Sequence, residues 1–224
     1  MKYLISCITI SMLFTLSVCC VSAAEVDVSW TCLDSGFWTN INCWDPGTHI
    51  PDNDNGSGDT YHVHFNSGGD VVCSIDSGNS IQVDSLDVNQ LAMVRLGPNG
   101  PGYLTIEGGQ VVNDGFIDLA SNHWDTAFVI TGDTTFSSPA GTGSLVIGPD
   151  VHNKVRATTP GDRIINEVGH SFQGAYYLGY DQVLFTNHGT IKSDIIDTYL
   201  YLNPYDTGTN YNDGIIDSTI QSIC

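Results

Sequence analysis

Short runs in which apolar and polar residues alternate recur along most of the chain. They include YHVHF at residues 61–65, IQV at 81–83, LTI at 104–106, LVI at 145–147 and YLYL at 199–202. Alternation with a period of two places every second side chain on the same face of a β-strand. Clusters of Gly, Asn, Asp and Ser, which favour turns, separate these runs. Because no sustained helical stripe of apolar residues accompanies them, the pattern predicts an all-β protein.

A five-residue motif occurs three times. It is NDGFI at residues 113–117, NHGTI at 187–191 and NDGII at 212–216. The interval between the first two copies is close to three times the interval between the last two. The shorter interval, a period in the twenties, fits one coil of a stacked solenoid, in which neighbouring coils share a continuous core. The sequence therefore predicts a right-handed parallel β-helix. A β-sandwich or jelly roll is the alternative, because N-x-G also forms ordinary hairpin turns.

Each copy of the motif assigns a structural role to three positions. The glycines are expected to adopt positive-φ turns, the isoleucines to enter one common core, and the asparagines to stack as a hydrogen-bonded ladder. Adjacent coils would then place Ile191 and Ile216 at neighbouring levels. The nine repeat residues are Asn113, Gly115, Ile117, Asn187, Gly189, Ile191, Asn212, Gly214 and Ile216.

The chain divides into three parts. Residues 1–23 are predicted to be a secretory signal peptide, because Lys2 precedes an apolar run that ends in small residues. Residues 24–59 are interpreted as an N-terminal cap, since they hold Trp30, Trp38 and Trp44. Residues 60–224 are expected to be β-solenoid repeats that are incomplete at the C-terminus. Export implies an extracellular or cell-surface location, where disulfides persist.

Four cysteines remain after the signal peptide. Cys32 and Cys43 are 11 residues apart in the cap and are predicted to form a disulfide. Six or seven coils, spaced about 4.8 Å apart, would separate Cys73 from Cys224 by roughly 25–30 Å. A disulfide tolerates at most ~7 Å between Cα atoms, so Cys224 is expected to be unpaired within the monomer. We expect the last coil either to continue into a longer chain or to self-associate through its open edge.

Several of these features resemble a known group of proteins. The residues W30, GFW at 36–38, NCW at 42–44 and PD at 51–52, followed by an alternating strand, are similar to the opening of bacterial exported β-helical repeat surface proteins. That group includes autotransporter-like passengers and proteins with a C-terminal sorting signal. The resemblance implies a secreted β-helix at a cell surface and transfers no catalytic residues. The chain departs from the group because no C-terminal barrel or sorting segment is evident in the sequence.

Charge excludes several classes of partner. The net charge is −19, and once the signal peptide is removed five Lys and Arg residues face 25 Asp and Glu residues. Because binding to phosphate backbones requires neutralising cations, nucleic-acid binding is excluded. An anionic membrane surface would also repel the chain. After the signal peptide, no apolar segment approaches the ~18 residues of a membrane span.

Metal-binding candidates are incomplete. His62 and His64 leave the same face of one predicted strand and could share a metal ion, but no third ligand is identifiable. The loop at residues 52–59 is rich in Asp and Asn, yet it lacks the first ligand and the closing Glu of a calcium loop. An ordinary turn-rich loop explains it better, and no cofactor is predicted, although calcium on so acidic a surface stays an open alternative.

No catalytic constellation is evident in the sequence. It contains no adjacent pair of Asp residues and no G-x-S-x-G motif, and the nearest approach to a catalytic His motif, NHG at residues 187–189, lies in the repeat turn. Lys154, Arg156 and Arg163 form a sequence cluster that lyase chemistry on acidic polysaccharides could use, but charge balance explains it as well.

Two hypotheses for function remain. The first is a secreted or cell-surface structural or adhesive β-helical module. The second is a carbohydrate-binding or polysaccharide-degrading β-helix protein. Surface glycans are the candidate ligands of the second hypothesis, through the aromatic residues Trp124, Tyr176, Tyr177 and Tyr180. Aromatic rings in a row on one solvent-exposed face would favour it, whereas the same rings buried in the coils would favour the first.

Overall fold

The computed structural model describes residues 24–56, 58–66, 70–195 and 198–218. The predicted signal peptide (residues 1–23) and Cys224 lie outside the described residues. Within those ranges the chain forms twenty β-strands and one short 3₁₀ helix, Ile41–Cys43. The strands are β1 (Glu25–Trp30), β2 (Gly36–Phe37), β3 (Trp44–Asp45), β4 (Thr60–Phe65), β5 (Val71–Ile75), β6 (Asn79–Val88), β7 (Ala92–Leu96), β8 (Gly102–Asn113), β9 (Phe116–Leu119), β10 (Thr126–Ile130), β11 (Thr134–Ser137), β12 (Ser144–Ile147), β13 (Asn153–Ala157), β14 (Asp162–Asn166), β15 (Ser171–Gly174), β16 (Tyr176–Asn187), β17 (Thr190–Ser193), β18 (Leu200–Pro204), β19 (Tyr211–Asn212) and β20 (Ile215–Ser218).

The strands stack as a parallel β-solenoid of about six turns, which confirms the predicted fold class. One sheet has twelve strands and the other has eight. The larger sheet bends, because β6, β8 and β16 each continue across a corner. It therefore supplies two faces. Face A contains β10, β13, β18 and the first parts of the three long strands. Face B contains β1, β4, β11, β14, β19 and the second parts. The eight-stranded sheet is face C.

Rows of apolar side chains in register form the core. On face C one row runs from Ile117 through Leu145 and Phe172 to Ile191 and Ile216. The first and second motif copies are therefore three coils apart, and the second and third are on adjacent coils, as the intervals between the copies predicted. The first four of these side chains are buried, but Ile216 is 57% exposed. Ile216 lies in the same row as the other two motif isoleucines, at the level next to Ile191 as expected, and no described coil covers it.

The Trp-rich segment closes the N-terminal end of the stack. Trp30, Trp38 and Trp44 are buried, and their rings lie 5.6–5.8 Å from the Phe65 ring, measured between centroids. The predicted Cys32–Cys43 disulfide is confirmed, with 4.8 Å between the Cα atoms. The same segment also belongs to the stack, because β1 and β2 pair in parallel with β4 and β5. Residues 24–59 are thus both a cap and the first coil.

The repeat glycines have a role different from the predicted one. Gly115, Gly189 and Gly214 are not among the positive-φ residues of the described chain. A Cβ atom at Gly189 would lie 2.4 Å from the carbonyl oxygen of His170, and one at Gly214 would lie 2.3 Å from that of Gly189. The positive-φ prediction is therefore wrong. Glycine is required because the backbone of the preceding coil approaches too closely for any side chain.

The repeat asparagines form part of a polar chain that is buried except at Asn212. Asn166 Nδ2 donates to Asn187 Oδ1 at 2.7 Å, and Asn187 Nδ2 donates to Asn212 Oδ1 at 2.6 Å. The expected ladder therefore joins Asn187 to Asn212, with Asn166 as an additional member. Asn113 connects to it through His170, whose ring nitrogens lie 3.3 Å from Asn113 Nδ2 and 2.7 Å from Asn166 Oδ1.

His170 is neutral in this chain of hydrogen bonds. Asn166 Oδ1 can only accept, so His170 Nδ1 carries the proton, and Nε2 accepts from the Asn113 amide. Burial lowers the pKa of His170 from 6.5 to about 3. Both the geometry and the burial therefore disfavour the imidazolium form.

None of the described residues belongs to a helix that is long and apolar enough to cross a membrane.

Candidate functional site: a tyrosine patch on face A

Four tyrosines gather on the outer surface of face A near the C-terminal end of the stack. Strand alternation turns Leu178 into the core and Tyr177 outward on β16. Parallel pairing then places Tyr177 beside Lys154 of β13 and beside Tyr201 of β18. Tyr180 and Tyr199 flank this row. We refer to Tyr177, Tyr180, Tyr199 and Tyr201 as the tyrosine patch.

The rings of the patch contact one another and remain open to solvent. Tyr177 stacks on Tyr201 with 5.5 Å between ring centroids, and Tyr180 meets Tyr177 edge-on at 5.1 Å. Tyr199 lies 6.2 Å from Tyr201. Tyr180, Tyr199 and Tyr201 are 41%, 62% and 48% exposed. Each tyrosine has an apolar ring and a polar hydroxyl group. The exposed group of four therefore offers a ligand a large amphipathic contact area.

The backbone beneath the patch is strained. Tyr176, Tyr180 and Asp181 have φ values of 66°, 47° and 58°, in the left-handed region that side chains with a Cβ atom disfavour. They are three of the four non-glycine residues with positive φ in the described chain. Between them, Gly179 is required, because a Cβ atom there would lie 2.5 Å from the carbonyl oxygen of Asn203. Strain of this kind costs about 1 kcal/mol or more per residue and is concentrated at functional sites.

Lys154 completes the patch on the side of the preceding coil. Its ammonium nitrogen lies 4.8 Å from the centre of the Tyr180 ring and 2.6 Å from Asp125 Oδ1. The side chain of Lys154 is only 14% exposed. The Asp125 carboxylate therefore neutralises the positive charge of Lys154. The contact between the ammonium group and the Tyr180 ring helps to orient that ring.

The other aromatic and basic candidates have separate positions. Tyr176 is partly buried at the start of β16, and Trp124 is exposed in the turn before β10. Arg156 lies on β13 two residues after Lys154, on the same outer surface. Arg163 lies on face B and donates to Thr186 Oγ1 and to the carbonyl oxygen of Thr209, which anchors the 209 loop. The sequence cluster of three cations is therefore divided between two faces.

His62 and His64 point outward from β4, as predicted, but they engage separate partners. His62 Nδ1 lies 2.7 Å from Ser85 Oγ. The ring of His64 lies between two carboxylates, with Nε2 3.5 Å from Asp27 and Nδ1 3.4 Å from Asp87. No three His, Cys, Asp or Glu side chains among the described residues are grouped to hold a metal ion.

The Asp- and Asn-rich loop before β4 is fastened to the stack. Asp52 Oδ1 accepts from the backbone N–H groups of Gln82 and Asp54. Asn53 donates from Nδ2 to Glu107 at 2.8 Å and accepts at Oδ1 from the N–H of Tyr61. Burial is the largest influence on Asp52 and raises the pKa of its carboxyl group. These contacts give the loop a role in closing the corner between coils.

The sequence points to half of the patch. Tyr177 and Tyr180 are candidate ligand-binding aromatics of the carbohydrate hypothesis, whereas Tyr199 and Tyr201 appear in the sequence only as part of an alternating strand. The YLYL run contained the signal, because alternation places its two tyrosines on one face. Their meeting with Tyr177 depends on the pairing of β16 with β18, which lies beyond local sequence patterns.

The chain matches no protein-family model, no curated protein and no solved structure.

Proposed function

We propose that this chain is a secreted or cell-surface adhesive β-solenoid module that binds carbohydrate through the tyrosine patch. The observation that supports the proposal is the exposed, mutually packed group of four tyrosines on one sheet face. A module with a purely structural role gains nothing from leaving these rings in solvent, because burial would stabilise it by about 1.5–3 kcal/mol for each large apolar side chain.

The chemistry of tyrosine suits a sugar ligand. A pyranose ring presents a face of C–H groups, which pack on the electron-rich face of an aromatic ring. Its hydroxyl groups at the ring edge can hydrogen-bond to phenolic oxygens, because the Tyr O–H both donates and accepts. The side chains need little ordering on binding, since Tyr201 and Tyr177 already stack on each other.

The geometry also supports binding to an extended ligand. Tyr177 and Tyr201 occupy successive coils in register, so the patch runs along the solenoid axis. Successive coils are separated by about 4.8 Å, the spacing between neighbouring strands. An oligosaccharide lying along this direction would contact several rings at once, which suits adhesion through many weak contacts.

The test is a glycan array followed by titration calorimetry with the best ligand. Tyr201→Ala should weaken binding by about ten-fold, which corresponds to about 1.4 kcal/mol. Tyr211→Ala is the matched control, because Tyr211 is similarly exposed at 52% but lies on face B. Array binding that is absent, or that Tyr201→Ala leaves unchanged, would show that the patch is not a carbohydrate site.

A further inference from the structure

Among the described residues, face A carries one positive charge that no neighbour neutralises. On β13 the side chains of Lys154 and Arg156 both leave the core, because the residues that alternate with them are buried. Lys154 is paired with Asp125 at 2.6 Å. Arg156 is half-buried and, within the described part of the chain, makes no hydrogen bond or ion pair. The two side chains start about 7 Å apart, two residues along the strand.

The neighbours of Arg156 across the sheet leave its guanidinium open. It pairs with Val129 of the preceding coil, and Val129 pairs in turn with Thr105. Neither side chain can offer a counter-charge. On the following coil Leu178 pairs with Val155, so Arg156 lies beside the Leu178–Gly179 step, directly before Tyr180. Arg156 therefore stands at the edge of the tyrosine patch.

An open guanidinium is exceptional in this protein. With a net charge of −19 the chain has carboxylates available for every cation, and the other described Lys and Arg side chains use oxygen partners. Arg95 pairs with Asp118, Lys192 with Asp194, and Arg163 donates to three oxygen atoms. Arg163 has no carboxylate partner either, but it donates hydrogen bonds to protein oxygens, so among the described Lys and Arg residues only Arg156 has neither an ion pair nor a hydrogen bond.

We infer that Arg156 makes the tyrosine patch selective for an acidic glycan. The inference rests on the proposed function and names its ligand class. The tyrosines hold the sugar ring, while the planar guanidinium binds a carboxylate or sulfate group of the glycan through two parallel hydrogen bonds. The acidic remainder of the surface acts weakly at this position, because physiological salt screens exposed charges beyond ~8 Å.

The experiment compares ligands that differ in one charge per sugar residue. Titration calorimetry would use uronic-acid oligosaccharides, their methyl esters, and sulfated derivatives of the esters. The wild-type protein should bind the acid or the sulfated sugar about ten-fold more tightly than the ester, and the tighter of the two identifies the anion. Arg156→Gln should reduce the affinity for the acid or sulfated sugar to about that for the ester, whereas Arg156→Lys should retain part of the preference.

The outcomes separate the inference from the function on which it rests. If acid and ester bind equally to the wild-type protein, or if Arg156→Gln weakens both to the same extent, the role of Arg156 is refuted while the tyrosine patch stands. If the wild-type protein binds none of these sugars, the inference is refuted, and the glycan array decides the proposed function separately. Equal midpoints of thermal unfolding for the wild-type protein and Arg156→Gln exclude a folding defect as the cause of lost binding.

Discussion

The buried histidine in the polar chain should make the solenoid sensitive to mild acid. His170 has a pKa of about 3 when folded, against 6.5 as its ordinary value. Below pH 6.5 His170 binds a proton in the unfolded chain but not in the folded chain. The free energy of unfolding therefore decreases as the pH falls. The contribution is fully retained above pH 6.5, and its loss ends near the folded pKa. Each pH unit in this window costs about 1.4 kcal/mol.

His170→Gln isolates this effect. Glutamine offers an amide donor and an acceptor in place of the imidazole but does not titrate. Between pH 7 and pH 5 the wild-type protein should lose about 2 kcal/mol more stability than the variant, because one and a half pH units of that interval lie below 6.5. The comparison cancels the other titrating groups, which both proteins share.

The assay is urea unfolding at constant ionic strength, followed by fluorescence of the buried tryptophans. His49→Gln is the control, since it is the same substitution at an exposed histidine outside the buried polar chain. Equal m-values for all three proteins would show that the same amount of structure unfolds in each. If the wild-type and His170→Gln curves stay parallel between pH 7 and pH 5, the buried neutral imidazole is not the source of acid sensitivity.

Three further predictions concern stability and association. Replacing Cys32 and Cys43 by Ser should lower the free energy of unfolding by about 3 kcal/mol, measured against the wild-type protein in urea, because the unfolded chain is freed from an 11-residue loop. Gly143→Ala should cost about 3 kcal/mol, because its Cβ would lie 1.5 Å from the carbonyl oxygen of Asn113. Gly141→Ala in the same turn should cost only about 1 kcal/mol, because φ is 73° there and the space is open, so equal losses of stability would contradict this account. Cys73 is buried and burial raises its pKa, so it should react with a thiol reagent only after unfolding. Any disulfide-linked dimer on a non-reducing gel should therefore disappear when Cys224 is changed to Ser.

Local patterns in the sequence were sufficient for the fold class. Alternation identified the strands, the interval between the last two motif copies identified the coil, and two cysteines close together in one segment identified the disulfide. Each of these signals lies within one strand or within one turn of the solenoid. These signals are visible in the sequence because every coil has to present the same apolar edge to its neighbours.

The register of the coils depends on the tertiary structure. Along the face C row the step from Phe172 to Ile191 is much shorter in sequence than the steps from Ile117 to Leu145 and from Leu145 to Phe172, so no constant period locates these residues. The insertion of turns of unequal length also brings His170 to Asn113, 57 residues away. The reason for the repeat glycines also depends on the tertiary structure. Gly189 is required because the backbone of the preceding coil lies too close for a side chain, and the sequence does not show this contact.

The candidate site shows the same division. The sequence by itself determined that Tyr199 and Tyr201 lie on one side of their alternating run, because alternation is local, but it left open whether that side is buried or exposed. Only the stacking of β13, β16 and β18 decided that they meet each other and Lys154, and that Arg156 is left without a partner among the described residues. Which side chains become neighbours across coils depends on loop lengths and strand pairing, and these follow from the packing of the whole core rather than from any local run of residues.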